Sequence, residues 1–199
     1  MRQAGVSDYV RFATEALEII DGLPLSLEVF SDEFPEMLRQ ARILSGLGNN
    51  VNVKIPITNT RGESSLGVVR ELTKSGVPTN VTAIFTLKQV SDTVSALEGG
   101  PESYVSVFAG RIADAGIDPL PVMDAAVKTL KSQPQLKLIW ASPREVLNIV
   151  QASSVGCHVI TVTHDLLKKL PSLGKNLEEF SLETVKMFAS DAQSAGYVL

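Results

Sequence analysis

The sequence predicts an α/β fold built on a parallel sheet, and three observations lead there. Short apolar, β-branched runs recur along the chain, amphipathic helical patterns fill the intervals, and most of the runs are near-continuously apolar rather than alternating. Near-continuous apolar runs are the form taken by parallel strands covered on both faces. Regular alternation of strand and helix implies right-handed crossovers into one sheet, either open and doubly wound or closed as a barrel.

The strand candidates, in order, are Leu25–Phe30, Val51–Ile57, Thr79–Phe85, Tyr104–Phe108, Lys137–Ala141 and His158–Thr163. Amphipathic segments separate them at Phe34–Leu47, Ser64–Ser75, Leu87–Leu97, Pro121–Lys131, Pro143–Ala152 and Asp165–Leu170, and a longer helical pattern at Ser181–Ala195 closes the chain. Gly76 follows a helical segment in the usual terminating position. Ser142-Pro143-Arg144-Glu145 has the spacing of a capping box with proline at the first helical position.

With 199 residues, 44% hydrophobic and 20% charged, the chain has the length and composition of one globular domain spanning residues 1–199. A net charge of −4 gives no electrostatic case for nucleic acid or an anionic membrane as partner. The lone cysteine, Cys157, allows no intrachain disulfide and suits a reducing compartment; with valines nearby, it reads as a small buried apolar side chain. No stretch approaches the roughly 18 apolar residues of a membrane helix, and no signal-peptide core is present, so a cytoplasmic location is expected. No dinucleotide fingerprint follows a strand and no P-loop occurs, which weighs against a nucleotide-binding doubly wound sheet and against a nucleotide cofactor. His164-Asp165 lacks the companion ligands of a metal pair, and Asp114 and Asp118 read as parts of a solvated loop.

Chemistry in a parallel barrel gathers at the C-terminal ends of the strands, so polar residues inside apolar strands carry the functional signal. They are Glu28, Lys54, Asn80 and Thr82 (on one face at i and i+2), and Ser106, with Arg111 just beyond. Lys54, between Val53 and Ile55, admits two readings: a core-rim lysine paired with Glu28, or an amine nucleophile. In an apolar pocket a lysine amine can be partly neutral near pH 7, and neutral amine attacks a ketone carbonyl to form an imine. The protonated imine then accepts the electron pair of a neighbouring C–C bond.

Val53-Lys54-Ile55-Pro56-Ile57-Thr58 resembles the Schiff-base lysine strand of transaldolases and the related fructose-6-phosphate aldolases. Asn80-Val81-Thr82-Ala83-Ile84-Phe85-Thr86 resembles the Asn-x-Thr strand that comes next in that family, Ser26-Leu27-Glu28-Val29 the strand before, and Ser106-Val107-Phe108-Ala109-Gly110-Arg111-Ile112 the strand after. The resemblance runs through essentially the whole chain and implies a (β/α)8 TIM barrel. It implies Lys54 as the imine-forming nucleophile, Glu28 and Thr82 as holders of a catalytic water, and Asn80 and Ser106 as contacts to the ketose end. Arg111 would bind the sugar phosphate, with a surface ion pair as its alternative. Ser142 and Arg144, in the loop where such barrels bind phosphate, are further candidates, with a plain helix cap as the competing role of Ser142. The substrates implied are sugar phosphates, without cofactor or metal, in a homo-oligomer of the pentose phosphate pathway.

Transaldolases differ from the aldolases in carrying glutamate rather than glutamine at the position of Glu28 and phenylalanine rather than tyrosine at that of Phe108. Both positions here match the transaldolase pattern, which implies transfer of a dihydroxyacetone unit rather than its release. Relatives open with a strand bearing an acid/base aspartate, and a later Thr-Thr-Asn-Pro strand supplies a substrate-binding asparagine; neither occurs here. Met1-Arg2-Gln3-Ala4-Gly5-Val6 resembles the segment immediately after the Asn-Pro strand of those relatives. The barrel is therefore expected to lack its first two strands. A gene model that starts too late is preferred to a gene that has lost catalysis, and the chain as written is expected to be inactive in transfer.

Overall fold

The computed structural model describes residues 6–196, in two compact units, Met1–Val162 and Thr163–Leu199. The first opens with helix α1 (Tyr9–Ile19), capped by Asp8. Strand and helix then alternate: β1 (Leu25–Glu28), α2 (Phe34–Ser45), β2 (Val51–Pro56), α3 (Leu66–Lys74), β3 (Thr79–Ile84), α4 (Leu87–Ala96) and β4 (Ser103–Val107). Two helices, α5 (Ala109–Asp114) and α6 (Leu120–Leu130), separate β4 from β5 (Leu136–Trp140), and α7 (Leu147–Ser154) leads to the short β6 (Val159–Ile160). The second unit holds α8 (His164–Leu167), a 3-10 turn at Leu170–Ser172 and α9 (Leu177–Ser194), capped by Asn176.

The six strands form one parallel sheet in the order β1-β2-β3-β4-β5-β6, which is six strands of a TIM barrel. Among the described residues, β1 and β6 are its edges. Side chains alternate across it. Val51, Val53, Ile55, Val81, Val105, Val107, Leu138 and Trp140 are buried in the main core cluster, together with Met37, Leu72, Val90 and Met123 of the helices. The other face carries Ser26, Lys54, Asn80, Thr82, Tyr104, Ser106 and Ile139 into a cavity of about 660 Å³. The two-faced apolar pattern that predicts a parallel sheet is satisfied outward by helices and inward by the apolar part of this cavity's wall.

Three local features depart from the sequence-based expectation. α1 and α5 lie outside the predicted helical segments, and α5 has only six residues, too few turns for its periodicity to stand out. The segment Ser142–Glu145 is not a capping box. α7 begins only at Leu147, Ser142 has a left-handed backbone (φ 58°), and the amide N–H groups of Arg144 (2.7 Å) and Glu145 (3.3 Å) donate to Asn148 Oδ1. Asp114 is the last residue of α5, not part of a solvated loop. Gly76 does terminate α3, with φ 72°. Cys157 is partly buried, its thiol raised by burial and pointed at the Leu138 and Val159 carbonyls.

Gly110 shows how tightly the strand ends are joined. A Cβ there would stand 1.5 Å from the Ser142 carbonyl oxygen, while the Gly110 N–H donates to the Ala141 carbonyl at 3.2 Å. Gly110→Ala is expected to lower unfolding free energy by about 1–3 kcal/mol, the usual cost of overpacking. Gly67→Ala, in α3 with open space where the methyl would go, should raise it by about 0.5–1 kcal/mol through helix propensity. Urea denaturation of both variants checks the pair; equal effects would mean that the approach at Gly110 is not tight.

Candidate active site

Parallel pairing in register assembles the site. Glu28 is the Cα partner of Lys54, and Lys54 is the partner of Asn80, so three polar side chains from β1, β2 and β3 stand side by side. Lys54 Nζ lies 3.5 Å from Glu28 Oε2, with the side chains 30% and 45% exposed. Lys54 lines the main cavity. Glu28 lines an adjoining hollow with Phe30, Pro56 and Thr58. A carboxylate so near an amine can exchange a proton with it directly or through one water.

A hydrogen-bonded chain, buried at Ser106 and Asn80 and exposed at Ser26, crosses the inner face beside Lys54. Ser106 Oγ donates to Asn80 Oδ1 (2.7 Å), and Asn80 Nδ2 donates to Ser26 Oγ (2.9 Å). The two bonds fix the amide orientation of Asn80, leaving its second N–H for a ligand. Thr82, two residues on, is buried, and its Oγ1 has no partner among the described residues. A buried hydroxyl without a partner is uncommon, and the residue that bears this one lines the cavity. The next residue, Ala83, has φ 59°, and the β3–β4 register shifts there. Left-handed backbone at a non-glycine residue costs on the order of 1–3 kcal/mol and gathers at functional sites. Ala83 and Ser142 both place it at the C-terminal ends of strands around this cavity.

The opposite wall is apolar. Phe108, Tyr104, Ile139 and Ala141 pack as a separate cluster facing the cavity, and burial raises the Tyr104 phenol above its ordinary value. Ser142 joins this wall. Arg111 is exposed and stacks its guanidinium over the Phe108 ring at 5.1 Å. Arg144 is drawn aside to Asp114. Neither arginine lines the cavity itself; both stand beyond the ends of β4 and β5.

Loops at the mouth are tied together. Arg61, after β2, bonds Glu33 (2.7 Å), after β1, and Glu63 (3.0 Å), and it lies 3.5 Å from Asp32. Asp32 also accepts from the Thr60 hydroxyl (2.6 Å) and amide (2.7 Å), bonds that hold its carboxyl below the usual range. The network joins the loops that leave the strands carrying Glu28 and Lys54. Tyr9 supports β1 from α1: its hydroxyl accepts the Glu28 amide N–H at 3.1 Å, and its ring meets Phe30 edge-on at 4.7 Å. Ser26, Tyr104, Arg61 and Tyr9 lie outside the set of site residues that the sequence points to. Ser26 has a readable signal, its i, i+2 relation to Glu28 in one strand. Among the described residues no group of His, Cys, Asp or Glu could hold a metal ion, and no helix is long and apolar enough to cross a membrane.

The parallel sheet thus sets a lysine beside a carboxylate at its C-terminal end, and sequence comparison says which family the chain belongs to. The family model described as Transaldolase/Fructose-6-phosphate aldolase matches residues 7–198. A probable transaldolase of Thermoanaerobacter sp. (strain X514) is 34% identical, over 87% of this chain and 78% of that protein. A probable transaldolase of Thermoplasma volcanium is 32% identical over 95% and 82%, and probable transaldolase 2 of Listeria monocytogenes 37% over 83% and 74%. Among solved structures, a mandelate oxidase mutant with an FMN adduct superposes with a TM-score of 0.54 at 15% identity, over 78% of this chain and 51% of that one, a likeness of fold alone. The chain belongs to the transaldolase/fructose-6-phosphate aldolase family.

Thr82 and Asn80 should separate in their effect on stability. Thr82→Val removes a hydroxyl that bonds nothing among the described residues, so unfolding free energy should change by less than about 1 kcal/mol. Asn80→Leu strands the buried Ser106 hydroxyl and should cost about 1–3 kcal/mol. A large loss for Thr82→Val in thermal or urea unfolding would show that its hydroxyl is already bonded in the fold.

Proposed function

We propose that the chain carries the Schiff-base site of a transaldolase-type enzyme, one that transfers a dihydroxyacetone unit between sugar phosphates as in the non-oxidative pentose phosphate pathway. One observation carries the reading: the Lys54 amine stands in the barrel cavity, flanked in register by Glu28 and Asn80. Lys54 attacks the ketone carbon of a ketose phosphate, and the carbinolamine loses water to give a protonated imine. Glu28, with Thr82, holds the water that relays protons in that step and its reversal. The second amide N–H of Asn80 and the hydroxyl of Ser106 take the hydroxyls of the bound ketose. Arg111, Ser142 and Arg144 stand where the phosphate end would reach, and a guanidinium fork suits its oxygens.

Phe108 favours transfer over simple cleavage. Its ring lines the cavity and offers no hydroxyl to position water against the bound three-carbon unit, so the imine would persist until an acceptor aldose arrives. A fructose-6-phosphate aldolase would instead release free dihydroxyacetone. Carbohydrate substrates, function without a cofactor, and a cytoplasmic homo-oligomer complete the proposal.

Two experiments test this reading. Borohydride reduction with dihydroxyacetone or a ketose phosphate, followed by peptide mass mapping, should label Lys54; a label elsewhere, or none, rejects the nucleophile. Phe108→Tyr should raise cleavage relative to transfer when rates are compared with and without an acceptor aldose. An unchanged ratio would mean that the ring does not govern retention of the three-carbon unit.

A further inference from the structure

Beyond the ends of β4 and β5, two guanidinium groups and one carboxylate meet. Arg144 Nε donates to both carboxylate oxygens of Asp114, at 2.9 and 3.0 Å, and its Nη2 also bonds Oδ2. The pair joins the last residue of α5 to the loop after β5. Arg111, over Phe108, acts on the same carboxylate by its charge. Among the described residues Arg111 makes no ion pair of its own, as the twelve salt bridges do not include it.

We propose that Asp114 is a resident counterion that competes with an incoming phosphate group for Arg144, making occupancy of this rim selective for dianions. The proposal rests on the reading that these arginines take the phosphate end of the substrate. The carboxylate presents two oxygens to the guanidinium fork, as a phosphate would. It carries one charge where a phosphate dianion carries two. Arg144's hydrogen bonds hold the Asp114 carboxyl below its usual range, so it remains ionised at neutral pH. Both side chains are about half exposed, 48% and 50%, so the pair is weak enough for a stronger anion to displace it.

The loop does not need the pair for its shape. Asn148 Oδ1 holds the amides of Arg144 and Glu145, and the close approach of Gly110 to Ser142 fixes α5 against the same segment. Removing the carboxylate charge therefore frees Arg144 without releasing its backbone. With two cations and one anion the cluster has a charge of +1, from +2 − 1; without the anion it is +2.

The test is calorimetric titration of inorganic phosphate into the wild-type chain, Asp114→Asn, Arg144→Ala and the double variant. Asp114→Asn should bind phosphate about three- to fivefold more tightly, the scale of losing one exposed competing pair. The gain should shrink at high salt and vanish in the double variant. Unchanged or weaker binding by Asp114→Asn, with Arg144→Ala abolishing it, would overturn the counterion role alone and mark Asp114 as the residue that orients Arg144. Undiminished binding by Arg144→Ala would overturn the phosphate reading of Arg144 as well, while borohydride labelling of Lys54 would stand apart from both results.

Discussion

In-register pairing of β1, β2 and β3 is the constraint on which the rest of the site depends. Positions 28, 54 and 80 are successive Cα partners, one repeat of 26 residues apart. Side chains alternate across a strand, so a slip of one residue would turn Lys54 out among the helices and bring Val53 or Ile55 into the cavity. The outward residues of β2, Val51, Val53 and Ile55, are at most 1% exposed. Burying three such side chains stabilises this register on the order of 1.5–3 kcal/mol each. The apolar packing behind the sheet thus holds the polar chemistry in front of it.

That division explains what could be read from the sequence. Glu28, Lys54, Asn80, Thr82 and Ser106 break apolar strands at positions whose parity puts them on one face, and the structure brings that face together. The strands from β1 to β5 lie within a residue or two of the runs that predict them, whereas the run 158–163 contains only Val159–Ile160 as strand. Features made by long-range approach left no local trace. Asp114 and Arg144 are 30 residues apart, and neither neighbourhood names the other. Ala83 and Ser142 take left-handed backbone without the glycine that would announce it. Ser142-Pro143-Arg144-Glu145 matches a capping pattern, yet the tight Gly110 contact and the side chain of Asn148 decide the path of that loop.

Walls of opposite character give the cavity a direction. The β1–β3 side carries amine, amide and hydroxyl groups, whereas the Phe108, Tyr104 and Ile139 side is apolar, and the arginines stand outside at the rim. A ketose phosphate has the same polarity, with its carbonyl at one end and its charge at the other. On the proposed reading, phosphate at the rim would set how deep the carbonyl carbon reaches, and the bonds from Ser26 and Ser106 to Asn80 would set which hydroxyls meet the amide. Holding the partners in place in this way lowers the entropic part of the barrier.

The central claim, that Lys54 and Asn80 act on one bound three-carbon unit, is tested most directly by a crystal structure of the protein after borohydride reduction with dihydroxyacetone. The account predicts continuous density from Lys54 Nζ into the cavity, with an adduct hydroxyl within hydrogen-bond distance of Asn80 Nδ2 and another near Ser106 Oγ. Density on a different lysine, or an adduct turned away from Asn80 and Ser106, would contradict it.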